Sequence, residues 1–248
     1  MIGIISAMPE EINLLVNKMT QTKTVERGMR KYYSGQIWGK DVVIAYSRIG
    51  KVAAATTAVT MILTFNVEKI IFSGVAGAIS QNLNIGDIVV AKRLVQHDMD
   101  ASPIFPRFEV PLLDKSYFDT DTELSNKVLQ AAKIFVQNIN RYITRDLLRR
   151  FRIERINVTR GDVASGDQFI TDRRKHYELK HALPSIVCVE MEGAAVAQVC
   201  YEYNVPFAVL RTISDNADHN ADIDFNQFLS AIAARYSTGI MDIFFSLI

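Results

Sequence analysis

Short β-branched runs alternate along this chain with longer stretches in which apolar residues recur every three or four positions. The first run, Ile2 to Ser6, is followed at once by Ala7-Met8-Pro9-Glu10-Glu11. Pro9 suits a first helical turn, and Glu10 and Glu11 suit the positive end of the helix dipole. Ile12, Leu15, Val16 and Met19 then predict a helix with one apolar face. Tyr32 to Trp38 and Asp41 to Tyr46 read as a hairpin turned at Gly39-Lys40. Lys51 to Phe65, rich in alanine and larger apolar residues, predicts a buried helix. Lys69 to Ser73 predicts a strand ending in the small-residue segment Gly74-Val75-Ala76-Gly77-Ala78, and Asp87 to Ala91 predicts another. A long irregular loop follows over 97–118, with prolines at 103, 106 and 111. Helical periodicity returns from Thr122 to Val136, whereas the charged stretch Arg141 to Arg160 predicts no definite element. A strand over Ile186 to Val189, a helix over Met191 to Tyr203, a strand over Phe207 to Ile213 and an amphipathic helix over Phe225 to Phe245 complete the pattern.

Strands alternating with helices predict an α/β fold, a three-layer α/β/α sandwich around a mixed sheet. With no repeat, low-complexity tract or linker, one domain is expected over 1–248. Charge changes this picture little. The 28 Lys and Arg residues nearly cancel the 27 Asp and Glu residues, and the short cluster Arg145, Arg149, Arg150, Arg152, Arg155 reads as a solvated face, so nucleic acid is not an expected partner. The N-terminus lacks the basic and apolar regions of a signal peptide. No segment approaches the roughly 18 uninterrupted apolar residues of a membrane span. Cys188 and Cys200 lie in apolar surroundings, as reduced thiols of a cytoplasmic protein do.

Ligands of open α/β sheets bind beyond the carboxyl ends of strands. Three such predicted ends carry carboxylates: Glu10-Glu11, Glu190-Met191-Glu192, and Asp215-Asn216-Ala217-Asp218. The fourth is the Gly74–Ala78 segment, which has neither the spacing of a dinucleotide loop nor the lysine of a P-loop. Its small residues suit the close approach of backbone to a flat ligand. Glu192, at a predicted helix start, is expected to stay ionised and to accept hydrogen bonds from ligand hydroxyls. Asp215, at the end of an apolar strand, is expected to shift toward a proton-donating role, with Glu11 holding a water. Carboxylates in different environments are what glycosidic cleavage requires, one protonating the leaving group and another assisting water. Taken singly, each acid is equally well explained as a helix cap. His97-Asp98-Met99-Asp100 and Asp218-His219 with Asp222 and Asp224 hold metal-ligand residue types without an established spacing, so no metal is expected.

Five segments in order resemble the bacterial 5′-methylthioadenosine/S-adenosylhomocysteine nucleosidases of the purine nucleoside phosphorylase-like family. They are Gly3 to Glu11, Ile49 to Ala54, Ser165 to Ile170, Val189 to Ala194 and Arg211 to Asp218. The resemblance implies a partly barrel-like sheet and hydrolysis of the N-glycosidic bond of 5′-modified adenine nucleosides. By residue it implies Glu11 on the attacking water, Glu192 on the ribose 2′-hydroxyl with Met191 under the sugar and Glu190 assisting, and Asp215, supported by Ser214, delivering a proton to adenine N7. Phe169 and Ile170 match the residues that stack on and hydrogen-bond the base, and Ala7, Ile49, Ala76, Gly77 and Phe225 match the rest of the pocket. It further implies no metal or cofactor, and a homodimer in which the loop Ala101 to Pro111 of the neighbouring subunit completes the 5′ pocket. The chain departs from the family at Pro9, at Val75 and Ala78, in the loop His97 to Leu113 and at Arg141 to Arg160, which reads as an insertion. Phe72 and Val75 stand where a phosphorylase would want Arg and Ser for phosphate, although Arg48 lies near in the motif map. A phosphorylase, an aminodeoxyfutalosine hydrolase and a non-catalytic nucleoside-binding relative are the rival readings. The last should have lost an acid, and this chain keeps Glu11, Glu192 and Asp215.

Overall fold

The structure, a computed structural model, describes residues 1–217 and 221–248, and of residues 221–223 the backbone alone. Ten strands form one mixed sheet. Its first half is built around β1 (Ile2–Ser6), which pairs in parallel with β4 (Lys40–Tyr46) on one side and β5 (Lys69–Ala78) on the other. The antiparallel strands β3 (Arg30–Ile37) and β2 (Thr20–Arg27) extend this half to its edge. The second half closes on itself. β5 also pairs with β10 (Phe207–Asp215), β10 with β6 (Ile88–Gln96), β6 with β8 (Val158–Ser165), β8 with β9 (Ile186–Glu190), and β9 returns to β5. The ring of β5, β10, β6, β8 and β9 is a small closed barrel, and β7 (Tyr117–Asp119) lies on its β6.

Apolar residues alternate along the central strands and feed two cores. Ile2, Ile4, Val42, Ile44 and Ile71 face one side, under α1 (Pro9–Val16), α3 (Thr122–Gln137) and α8 (Ala234–Ser246). Ile5, Val43, Ala45, Ile70 and Phe72 face the other, under α2 (Lys51–Phe65) and α6 (Gly193–Glu202). That alternation is the period-2 signature of a sheet covered on both faces. No described helix is long and apolar enough to cross a membrane.

Several expectations need correction. The hairpin turn is Trp38-Gly39, both at positive φ (48° and 77°), and Lys40 already belongs to β4. Gly74 to Ala78 is not a loop: β5 runs through it, because β10 pairs alongside as far as Gly77 and β9 caps its end at Gly77 and Ala78. The Arg141–Arg160 stretch contains α4 (Arg145–Arg150), and β8 begins inside it at Val158; Leu147, Leu148 and Phe151 anchor the stretch to the first core. The C-terminal helix starts earlier, as α7 (Ala221–Phe228), and passes through a π-type turn over Leu229–Ala233 before α8. α5 (Arg173–Ala182) and β2 had no counterpart in the sequence pattern.

Candidate active site

Parallel pairing of β4, β1, β5 and β10 brings their carboxyl ends to one side of the sheet, and the barrel closure brings Glu190, at the end of β9, to the same place. A cavity of about 440 Å³ opens there, lined by every residue singled out above as a candidate for catalysis or substrate binding. Met8, Val75, Gln168, Val189, Ala217 and Asn226 complete its wall.

Glu11 is the third residue of α1, and its side chain does two jobs. Oε2 accepts the Met8 N–H at 2.9 Å, capping the helix start, and Oε1 accepts the Val75 N–H of β5 at 3.1 Å. Burial raises its pKa, opposed by the Met8 amide and the positive charge of Arg211. Such a buried carboxylate is a stronger base at neutral pH than one in water.

Glu190 is committed to structure. Its Oε2 accepts Arg211 Nη2 at 2.6 Å and the Glu192 N–H at 3.0 Å, and Oε1 accepts the Ser165 hydroxyl and the Gly193 N–H. Arg211, 1% exposed, also lies with its guanidinium 4.1 Å from the Phe72 ring centroid. Sequence reasoning gave Arg211 no role. The available signal was a lone cation inside the apolar run Phe207 to Ile213, which burial forces to find a counter-charge.

Glu192 precedes α6 without capping it, and its Oε1 instead accepts the Gly50 N–H at 2.8 Å. The expectation that a helix start would keep it ionised fails here. Burial, and next the Glu190 carboxylate, push its pKa up to about 8, against the lesser pull of the Gly50 amide and Arg211. Desolvation of a buried carboxyl outweighs a helix-end effect that is at most about 2 kcal/mol.

Asp215 is aimed by a bulge. β10 pairs Ile213 with Ala76 and Asp215 with Gly77, so Ser214 is the extra residue, and such an insertion turns the strand locally. Ser214 Oγ donates to Asp215 Oδ2 at 2.7 Å, and the Ala217 N–H donates to Oδ1 at 2.9 Å. A methyl group at Gly77 would stand 2.7 Å from Asp215 Oδ1, and one at Gly74 would stand 2.8 Å from Glu11 Oε1. The two acids therefore lie against one strand at positions three residues apart. Phe169 and Phe225 meet edge to face at 5.4 Å over the cavity.

No Lys, Arg or His lines the cavity among the described residues. Arg48 points away, its Nη2 donating to the Met29 carbonyl at 2.6 Å. Among the described residues no group of three or more His, Cys, Asp or Glu side chains is placed to hold a metal ion. Asp218 and His219 lie outside the described residues, as does the side chain of Asp222. A model of the phosphorylase superfamily matches residues 1–246. The chain is similar to a 5′-methylthioadenosine/S-adenosylhomocysteine nucleosidase of Staphylococcus aureus, 34% identical over 238 residues and covering 96% of each chain. Among solved structures it is similar to the nucleosidase of that name from Neisseria meningitidis in complex with methylthio-immucillin-A, with a TM-score of 0.88 and 32% identity over 100% of this chain and 99% of that one. It is also similar to the futalosine hydrolase of Helicobacter pylori, with a TM-score of 0.85 and 34% identity over 100% and 97% of the two chains.

Proposed function

The chain belongs to the phosphorylase superfamily and, within it, to the family of 5′-methylthioadenosine/S-adenosylhomocysteine nucleosidases, and from that premise we propose how it hydrolyses the N-glycosidic bond of 5′-modified adenine nucleosides. Methylthioadenosine and S-adenosylhomocysteine are cleaved to adenine and the 5′-modified ribose. The observation that carries hydrolysis over phosphorolysis is the cavity lining, which among the described residues includes no Lys, Arg or His, the buried Arg211 being taken by Glu190 behind it. A phosphate dianion needs arginine or lysine donors, and this lining supplies none. Neutral water needs none.

In this reading the base lies between Phe169 and the Ala76–Gly77 backbone. Asp215, oriented by Ser214, delivers the proton that makes adenine a leaving group. As the C–N bond breaks charge develops on the sugar, and Glu11 holds the water that attacks the anomeric carbon and accepts the proton that water gives up. Glu192 takes the 2′-hydroxyl through a carboxyl oxygen, and Met191 packs under the ribose. The match over residues 1–246 supports one domain. Exposed apolar side chains on α2 (Val52, Leu63) and on the loop between β6 and β7 (Ile104, Leu112) support a homodimer, and two buried free cysteines support a reducing, cytoplasmic setting.

Adenine release from methylthioadenosine, S-adenosylhomocysteine and aminodeoxyfutalosine, each with and without phosphate, tests the reading. Phosphate-independent release lost on the order of 10²-fold or more in Asp215→Asn and in Glu11→Gln is expected. Release that requires phosphate, or that survives either substitution, contradicts it.

A further inference from the structure

The His97-Asp98-Met99-Asp100 motif has no part in the chemistry above, and the structure gives its second member a different task. Asp98 follows the end of β6 and is directed at two other segments. Its Oδ1 accepts Lys51 Nζ at 2.6 Å, and its Oδ2 accepts the Asp167 N–H at 2.9 Å. Asp167 in turn accepts the Lys51 N–H on Oδ1 at 2.8 Å. Lys51 Nζ is steadied by Gln96 Oε1 at 3.0 Å. Three residues from three segments thus close a ring, each bonded to the other two.

We propose that Asp98 and Asp167 are positioning residues, which with Lys51 clamp the base-side wall of the cavity to its sugar-side wall. Residues 167–172, between β8 and α5, carry no regular element, yet Gln168, Phe169 and Ile170 line the cavity. Without ladder partners, such a segment is held by whatever fixes its few backbone donors. The Asp167 amide is fixed by Asp98. On the other wall Lys51 begins α2, and the adjacent Gly50 N–H is the donor to Glu192. A shift of the 167–170 segment is therefore coupled to the donor that holds the proposed ribose acid. Asp98 accepts at both oxygens at once, one bond coming from a cationic donor, an arrangement that favours the ionised carboxylate. Burial alone would raise its pKa, but the Lys51 hydrogen bond and the Asp167 amide overrule it and hold it below the ordinary carboxylate value. Asp100, two residues on, accepts only from Ser102 and the more distant Arg107 and takes no part in the ring.

The inference rests on the nucleosidase reading for its kinetic arm only. In the full chain, Asp98→Asn puts an amide N–H₂ against one of two donors, so one bond of the ring must break. Steady-state adenine release from methylthioadenosine should then show KM raised about tenfold with kcat within about twofold, since positioning of bound substrate and not proton transfer is disturbed. Amide hydrogen exchange of residues 166–170, measured without ligand, should speed up locally while the barrel strands keep their protection. Asp98→Glu should recover part of both effects, and Asp100→Asn should match the parent chain. Unchanged KM and unchanged exchange in Asp98→Asn would overturn the clamp, as would faster exchange spread through the whole barrel, the sign of a general stability role. If the parent chain releases no adenine the nucleosidase reading falls, and the exchange arm alone decides the clamp.

Discussion

Replacing Glu192 with glutamine should change how stability depends on pH more than it changes the fold. Burial and the neighbouring Glu190 carboxylate raise the Glu192 carboxyl from 4.5 to about 8. Over that interval the folded chain keeps a proton that the unfolded chain has released. The native state then binds more protons than the unfolded state, so stability falls as pH rises from about 4.5 to about 8 and this group contributes no slope outside that window. Each pH unit of the window is worth about 1.4 kcal/mol, which puts the whole effect on the order of 5 kcal/mol. Glutamine keeps an oxygen for the Gly50 N–H and nearly the same volume, but has nothing to titrate. Glu11 also titrates high, but it is present in both proteins and largely cancels in the comparison. Urea unfolding of both chains at intervals from about pH 5 to pH 9 should show the parent losing several kcal/mol relative to Glu192→Gln. Parallel curves within about 0.5 kcal/mol would refute the argument that burial controls this carboxyl.

Three further outcomes are expected. Arg211→Met leaves Glu190 buried without its cation and should cost about 3–5 kcal/mol in urea or thermal unfolding; a loss below about 1 kcal/mol would mean that the backbone amides alone satisfy Glu190. Gly77→Ala forces a methyl to 2.7 Å from Asp215 Oδ1 and 3.0 Å from Ala217 Cβ, so adenine release should drop on the order of 10²-fold, and near-parent turnover would show that Asp215 need not sit where it does. Burial pushes the Cys200 thiol up to about 12 and raises Cys188 as well, so a thiol reagent near pH 8 should label neither until the chain unfolds; rapid labelling of the native chain would contradict the packing around α6 and β9.

The elements most legible in the sequence are those whose period agrees with their burial. Lys51 to Phe65 is helix at both ends as expected, and Ile2 to Ser6 is a strand buried at every position. β2 was invisible for the opposite reason. Thr20 to Arg27 is an exposed edge strand with no buried face, so its residues carry no alternation to detect. The Gly74–Ala78 segment misled because glycine is a poor strand former in isolation. Here its lack of a side chain is required by the carboxylates of Glu11 and Asp215 on either side, and partners on both edges keep it extended. Barrel closure itself left no local mark, since it depends on β9 returning to β5 more than a hundred residues away.

At the site, residue type and position along a strand were legible, but charge state was not. Helix-start reasoning treats Glu11 and Glu192 alike, as acids near a positive helix end. The structure separates them by what else reaches each oxygen. Glu11 caps α1 through Met8 and still turns its other oxygen to β5, so the capping and functional explanations of this residue are compatible. The Glu192 side chain caps nothing, receives one amide from a segment 142 positions away, and sits beside a second carboxylate that has already taken Arg211. That pairing of Arg211 with Glu190 decides the electrostatics of the cavity. It holds the cation behind the wall on Glu190, so the lining offers a phosphate dianion no cationic donor, while water needs none. The salt bridge that withholds this donor joins β9 to β10, and it becomes apparent only when the two strands are brought together across β5.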